Sequence, residues 1–391
     1  MNYRKDRQGR DISILGYGCM RFTKTAGIID LAKAEREVMR AIEGGVNYFD
    51  TAYIYPGSED ALGRILERNK VRDKVYIATK LPQYLMRNIN TVEKIFNEEL
   101  KRLRTDHIDY YLMHMLADIR EWNKLKDLGI EDWIREKKDS GQIGSVGFSY
   151  HGDTEDFIEI LDAYDWDFAQ IQYNYLDEDS QAGRRGLMAC AERGIPVIIM
   201  EPLRGGRLAN LPKAAARPLR ESGLGWSAAE LALRWLWDQP QVTCVLSGMN
   251  SFEMIDENMR IASSVEAGSF GEREKQVTRE IISVIRSKEK VGCTGCRYCM
   301  PCPQGVDIPG NFFYYNQVYT DGRIPAMSDF AKSMGMHKTP GFASLCIGCG
   351  KCEKHCPQHI HIIEELKKAD RTLRPLPYRV GLAVVRKVMG R

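Results

Sequence analysis

The chain has 391 residues, 43% of them apolar and 28% charged, which supports a buried core and excludes a disordered chain. The length allows one barrel-sized domain of roughly 250 residues plus a smaller one. Lys and Arg number 56 against 53 Asp and Glu, a net charge of +3, and there is no long basic run, so nucleic-acid binding is not expected. No apolar run approaches the roughly 18 residues of a membrane span, GIPVIIM (194–200) being typical of the longest. The opening MNYRKDRQGR lacks the apolar stretch of a secretory signal, and a cytoplasmic protein is expected.

In chain order, MNYRKDRQGRDISILGYG reads as a short hairpin leading into a strand. Seven further strand-like runs follow: VNYFD (46–50), VYIATK (75–80), IDYYLMH (108–114), IGSVGFS (143–149), FAQIQYN (168–174), IPVIIMEPL (195–203) and VTCVLSGM (242–249). Helical patterns separate them. Leu62, Ile65 and Leu66 share a face over 58–68, and Val92, Ile95, Phe96, Leu100 and Leu103 recur at helical spacing over 91–104. A long polar helix is expected at about 121–139, and SAAELALRWLWDQ (227–239) and SFEMIDENMRIASS are helical as well. The strands are short and continuously apolar, as parallel strands buried on both faces should be. Eight such units predict a (β/α)8 barrel over residues 1–265. A doubly wound open sheet is the competitor, but no G-x-G-x-x-G opens a helix after any strand.

Residues 266–290 read as a linker helix, 291–375 as a separate metal module, and 376–391 as a short basic tail expected to pack back on the body. The module is marked by cysteine. Of eleven cysteines, Cys19, Cys190 and Cys244 precede residue 293, and the other eight fall between Cys293 and Cys356. In a chain without a secretory signal such clustering points to metal rather than disulfides. The run Cys346, Cys349, Cys352, Cys356, Pro357 has the C-x2-C-x2-C-x3-C-P spacing of a bacterial-type [4Fe–4S] ferredoxin. The run Cys293, Cys296, Cys299, Cys302, Pro303 differs in its last gap, which is two residues. Zinc is the alternative, since paired C-x2-C units also bind it, although zinc sites use two pairs rather than two runs of four. Eight thiolates suit two clusters. Helical-looking text such as NFFYYNQVY between the runs suggests a mainly helical, ferredoxin-like iron–sulfur domain.

Asp50, Lys80 and His114 end the second, third and fourth predicted strands, and Tyr55 follows Asp50 by five residues. The C-terminal strand ends of a barrel share one face, and active sites lie there. A Tyr hydroxyl, with an ordinary pKa near 10, is a poor acid at neutral pH. An ammonium at ~4 Å and an effective dielectric of ~20 supplies about the 4 kcal/mol that a three-unit depression needs. Lys80 is expected to do this for Tyr55, with Asp50 holding Lys80 charged and His114 bonding the substrate oxygen or Tyr55. The set suits protonation of a carbonyl oxygen while hydride reaches its carbon.

FDTAYIYPGSEDALG (49–63), VYIATK, EELKRLRTDHIDYYLMH (98–114) and the late SGM…IDEN together resemble the aldo/keto reductase superfamily over about residues 10–265. The resemblance implies a (β/α)8 barrel that binds NADP(H) or NAD(H) without a Rossmann domain. It implies the catalytic tetrad Asp50, Tyr55, Lys80 and His114, with Tyr55 as general acid/base. It places Ser149 and Gln170 at the nicotinamide carboxamide, with Tyr150 standing where Asn is usual. The loop EPLRGGRL (201–208), including Pro202, Leu203 and Gly205, resembles the segment covering the diphosphate. Ser247, Gly248 and Met249 resemble the phosphate-binding turn, and Glu257 and Asn258 the adenine contacts. Gly248 and Met254 stand where NADPH-preferring members carry Lys and Arg, which leaves Arg204, Arg207 or Arg260 as substitutes. By resemblance to ferredoxins, Cys293, Cys296, Cys299 and Cys356 hold one cluster, and Cys302, Cys346, Cys349 and Cys352 the other. Both modules together resemble a subgroup of aldo/keto reductases with a C-terminal ferredoxin-type domain. His151, His355 and His359 are expected to be ordinary polar surface residues.

Three functions fit. The first is a nicotinamide-dependent oxidoreductase for a small carbonyl or alcohol, whose clusters stabilise the fold or dock ferredoxin or another redox protein. The second is a ferredoxin-coupled electron-transfer protein whose barrel holds another redox group such as flavin. The third is a cluster-bearing scaffold without turnover, which the intact tetrad disfavours.

Overall fold

Eight short, apolar strands form a closed parallel barrel in sequence order: β1 (Leu15–Gly18), β2 (Tyr48–Asp50), β3 (Tyr76–Leu81), β4 (Ile108–Leu116), β5 (Ile143–Tyr150), β6 (Phe168–Gln172), β7 (Val197–Met200) and β8 (Val242–Ser247). The last strand pairs with the first, Ser247 opposite Tyr17, which closes the ring. The computed structural model describes residues 1–391 except 153, 180, 321, 336–339, 380 and 383–391. It resolves the choice between barrel and open sheet in favour of the barrel.

Side chains alternate along each strand, and the alternation builds the site. Tyr48, Ala78, Tyr110, Leu112, Phe168 and Ile198 pack together in the lumen. Their neighbours Phe49, Ile77, Tyr111, Met113, Ala169 and Ile199 belong to the larger core shared with the helices. Two residues beyond four of these lumen side chains lies a polar one: Asp50 after Tyr48, Lys80 after Ala78, His114 after Leu112 and Gln170 after Phe168. The polar site is thus the top layer of the lumen. The hairpin of Tyr3–Lys5 and Asp11–Ser13 adds Ile12 to the lumen cluster. Its Asp6 accepts the Tyr110 hydroxyl at 2.6 Å, and the Arg10 guanidinium lies 4.6 Å from the Tyr110 ring centre.

Gly147 shows how tightly the lumen is filled. A Cβ there would lie 2.4 Å from the Phe168 carbonyl oxygen and 2.7 Å from its ring. Gly147→Ala is therefore expected to destabilise the barrel by about 1–3 kcal/mol, the usual cost of overpacking. Denaturant titration of the variant checks this, and an unchanged midpoint would contradict the lumen packing.

One local expectation fails, and one element was not foreseen. The helix expected over 121–139 is two helices, Ile119–Asp127 and Ile130–Asp139. Gly129 (φ 86) between them turns the chain through a left-handed conformation open to glycine. A small ribbon, Lys24–Thr25 with Ile28–Ile29, was not foreseen, and it turns through Ala26 (φ 51) and Gly27 (φ 85).

The chain divides into two compact units, residues 1–209 with 229–272, and residues 210–228 with 273–391. The segment 210–228, read from the sequence as part of the barrel domain, thus groups with the second unit. That unit has helices at Lys213–Glu221, Ile308–Thr320, Arg323–Phe330 and Ile362–Leu373, and no strand among its described residues. Phe312, Tyr315, Phe330, Ile362, Leu366 and Leu373 form its apolar core. The helix Glu272–Lys288 leads into it. In the basic tail, Tyr378 sets its ring 6.0 Å from that of Phe330, while 380 and 383–391 lie outside the described residues.

Candidate functional site

Asp50, Lys80 and His114, on three adjacent strands, meet at one end of the lumen. Lys80, 1% exposed, donates from Nζ to Asp50 Oδ1 and to the Thr51 carbonyl, both at 2.6 Å. Gln170 Nε2 donates to the other Asp50 oxygen at 2.9 Å. Every oxygen of this buried carboxylate is therefore occupied, which such a pair requires to offset its desolvation. Tyr55 is carried in by the loop after β2, where its amide bonds the Ala52 carbonyl. Lys80 Nζ lies 5.3 Å from the Tyr55 ring centre, and the His114 ring stands edge-on to it at 6.1 Å. The four residues thus converge.

The electrostatics overturn one expectation. The Tyr55 hydroxyl is pushed well above its ordinary value, not below it, by burial and by Asp50, Glu201 and Cys19 nearby. Lys80 spends its charge on Asp50, so little field remains for the phenol. His114 is driven well below the ordinary imidazole range by burial and by Lys80. It is neutral, and its Nδ1 is buried without a hydrogen-bond partner. A buried ring nitrogen of this kind is an uncompensated cost, which a ligand atom relieves.

Ser149 and Gln170 face each other across β5 and β6. Both already have protein partners, Ser149 Oγ accepting the Met115 amide at 2.8 Å. Tyr150 turns the other way, into the apolar core against Phe157, with its ring 4.9 Å away. It is not at the site, because successive strand residues face opposite sides.

The two loops read as phosphate-binding are present. The loop after β7 holds Glu201 (φ 54), Arg204 (φ 50) and Gly205 (φ 69) in left-handed conformations. Such strain in non-glycine residues persists only where the surroundings fix it, and it collects at functional sites. Pro202 is buried and Leu203 packs on the core. After β8, Asn258 Nδ2 donates to Ser247 Oγ at 3.1 Å. Glu257 is half-buried one residue before. Met249 is buried in the core, and its carbonyl is taken by the Tyr17 hydroxyl at 2.7 Å, so it does not line the turn. Of the substitute cations, Arg204 is held by Asp177 at 3.1 Å and Arg260 by Glu230 at 2.6 Å.

Sequence reasoning missed Cys19, Arg21 and Glu201. Cys19 and Glu201 directly follow β1 and β7, so the strand-end rule that found Asp50 would have found both. His151 is not a simple surface residue. Its ring bonds Gln181 at 3.1 Å, and burial draws it down to about 3. His355 and His359 are exposed, as expected.

In the second unit, Cys293, Cys296, Cys299 and Cys356 line one pocket with Ile308, Phe312 and Ile362. Three come from the first run and one from the second, 54 residues beyond Cys302. The Cys299 thiol is pushed up to about 12 by burial and by its three neighbours. Cys346 stands close enough to push up Cys352 as well, after burial. The helix Ile308–Thr320 pins the approach to both runs through two buried asparagines. Asn316 accepts the Lys290 and Val291 amides at 3.0 Å, just before Cys293. Asn311 donates to the Gly341 carbonyl at 2.8 Å and accepts the Ala343 amide at 3.1 Å, just before Cys346. Among the described residues no three His, Cys, Asp or Glu side chains gather as ligands of a single ion. A cubane needs no such group, because it spreads its four thiolates over different irons.

Residues 14–267 match the model of the Aldo/keto reductase family, and residues 292–361 that of the 4Fe-4S dicluster domain. The chain belongs to the aldo/keto reductase family. It is an oxidoreductase that carries a 4Fe-4S dicluster domain at its C-terminus. It is 28% identical over 276 residues to an aldo-keto reductase of Mycobacterium sp. (strain MCS), covering 67% of this chain and 89% of that protein. It is 27% identical over 228 residues to the NAD/NADP-dependent indole-3-acetaldehyde reductase of Schizosaccharomyces pombe, covering 57% and 77%. The holo form of an aldo-keto reductase from Bacillus halodurans superposes with a TM-score of 0.59 at 25% identity, covering 72% of this chain and 96% of that one. No helix among the described residues is long and apolar enough to cross a membrane.

Proposed function

We propose that the barrel reduces a small carbonyl compound, or oxidises the corresponding alcohol, with NADP(H) or NAD(H). The observation that carries this is the convergence of Tyr55 and His114 on the Lys80–Asp50 pair at the top of the lumen. The adjoining loops after β7 and β8, with glycines at 205 and 248, fit a dinucleotide, and the unpartnered His114 Nδ1 fits a substrate oxygen. The S. pombe relative, NAD/NADP-dependent by name, supports the same reading. When bound, the nicotinamide supplies or takes the hydride.

The chain's own residues handle the proton. Tyr55 keeps its hydroxyl protonated and gives that proton to the carbonyl oxygen as negative charge grows there. Neutral His114 bonds the same oxygen and fixes its direction. Lys80, anchored by Asp50 and Thr51, holds its ammonium 5.3 Å from the Tyr55 ring centre and fixes the wall against which the phenol is placed. Gln170 holds Asp50, and Ser149 and Gln170 frame the carboxamide.

This electrostatic arrangement has a consequence for pH. Tyr55 acts as an acid in reduction, and its value lies above the ordinary ~10. His114 lies well below the ordinary ~6.5 and does not gain a proton near neutrality. Carbonyl reduction is expected to run at constant kcat/KM from about pH 6 to 9, with loss only as pH rises toward the Tyr55 value. A fall centred near pH 7 would show instead that Lys80 depresses Tyr55.

For the second unit we infer two [4Fe–4S] clusters, one on Cys293, Cys296, Cys299 and Cys356, the other on Cys302, Cys346, Cys349 and Cys352. The pocket that brings Cys356 to the first run supports this pairing. Each cluster moves one electron and hydride transfer moves two, so the clusters are assigned to partner docking or fold stability, in a cytoplasmic setting. The dicluster domain also favours a second reading, in which a ferredoxin pool feeds a flavin-like group in the barrel. Anaerobic purification with identification of every bound small molecule tests both. A nicotinamide nucleotide or an empty barrel that binds one supports the first, and stoichiometric flavin supports the second.

A further inference from the structure

The two cysteine runs share an opening, C-x-G-C, and a close, C-P-Q, so their loops correspond position by position. Cys293, Thr294, Gly295 and Cys296 open the first run, and Cys346, Ile347, Gly348 and Cys349 the second. Gly295 and Gly348 make the same left-handed turn, at φ 75 and φ 74. The side chains beside them reverse the ordinary pattern of burial. Thr294 has its hydroxyl oxygen buried without a hydrogen-bond partner, while Ile347 is 66% exposed. The closing glutamines differ in the same sense. Gln304, after Cys302 and Pro303, is exposed, whereas Gln358, after Cys356 and Pro357, has its amide nitrogen buried without a partner. Thr294 and Gln358 both line the pocket of Cys293, Cys296, Cys299 and Cys356. Two donors held out of water and left unpaired are an uncompensated cost. Among the other side chains of that lining, only the cysteine sulfurs can accept from them.

We propose that Thr294 and Gln358 donate hydrogen bonds to the sulfurs of the cluster in this pocket and thereby raise its reduction potential. The inference rests on the reading of these four cysteines as a [4Fe–4S] site. Reduction adds one electron, and so one negative charge, to the cluster and its thiolates. A donor aimed at sulfur stabilises the reduced form more than the oxidised one and raises the potential, whereas enclosure away from water disfavours the added charge and lowers it. The two donors offset that enclosure. Arg297, the cation of the lining, does not replace them: it is exposed, and its guanidinium lies 3.7 Å from Asp307 Oδ1, so water and a counter-charge screen it. The other run needs no such device. Cys349 is exposed, and water supplies the donors there, which is why an isoleucine suffices where the first run has a threonine.

The test is a redox titration, followed by electron paramagnetic resonance, of the anaerobically purified full-length holoprotein and its Thr294→Val, Thr294→Ser and Gln358→Leu variants, with iron and acid-labile sulfide counted in each. Thr294→Val and Gln358→Leu keep the approximate shape and remove the donor. Each is expected to make one cluster about tenfold harder to reduce at a fixed potential, a negative shift of about 59 mV for a one-electron couple, while the other cluster stays where it was. Thr294→Ser, which keeps the hydroxyl, is expected to titrate as the wild type does. Unmoved potentials in both donor-free variants, at full iron content, would overturn the proposal and leave the cluster reading intact. A shift to more positive potential would overturn it as well. If one variant loses the cluster, the other decides, and loss in both would overturn the proposal by assigning the two residues to holding the loops. Wild-type protein with stoichiometric zinc and no sulfide would overturn the cluster reading itself, and this inference with it.

Discussion

Tyr55→Phe is expected to lower carbonyl reduction by at least ~10²–10⁴-fold, the range for loss of a positioned general acid. The effect belongs to kcat rather than to cofactor binding. The ring is enclosed beside His114 and Lys80, and phenylalanine fills the same space without the hydroxyl. Dinucleotide affinity is expected to stay nearly unchanged, because the residues proposed to bind it lie on β5, β6 and the loops after β7 and β8. Steady-state kinetics with a fluorescence titration of NADPH separate the two quantities. A variant with near-wild-type turnover would assign the proton to another donor, and Glu201, whose carboxyl burial pushes up, would be the first to examine.

The second large effect concerns the clusters. The anaerobically isolated protein is expected to hold about eight irons per chain, two cubanes of four. Cys349→Ser is expected to bring this to about four. Cys349 is exposed, so the substitution removes an iron ligand without opening the apolar core around Phe312 and Leu366. Nicotinamide-driven reduction is expected to survive in the protein that stays folded, because the proposed hydride site uses no cysteine of that domain. Iron and acid-labile sulfide assays check the first part, and turnover checks the second. Four irons in the wild type would mean that the short gap before Cys302 does not support a second cluster. Stoichiometric zinc without sulfide would remove the iron–sulfur reading of the ligand set.

Much of this was legible in the chain. The strands could be read because parallel barrel strands are apolar on both faces and differ sharply from the helices between them. Asp50, Lys80 and His114 could be read because polar residues ending such strands stand out. The convergence of Cys356 with Cys293 followed from ferredoxin spacing, whereas Asn311 and Asn316 gave no signal, since a helix with asparagines in its interior shows no local purpose for them. What the sequence hid is mostly three-dimensional charge balance. Lys80 was expected to depress Tyr55, but local order could not show that Asp50 and the Thr51 carbonyl absorb its charge at 2.6 Å. Nor could it show Glu201 and Cys19 beside the phenol, or Arg21 spanning two loops more than 180 residues away in the chain. The break at Gly129 was missed because the polar periodicity continues through it, and only the glycine itself marks the change.

The most direct measurement follows NADH and NADPH oxidation by anaerobically purified holoprotein across a panel of small aldehydes and ketones, with no ferredoxin present. The account predicts that at least one nicotinamide nucleotide is consumed in step with a carbonyl, and that Tyr55→Phe abolishes that turnover. Wild-type protein that ignores both nucleotides, yet accepts electrons from reduced ferredoxin, would contradict it.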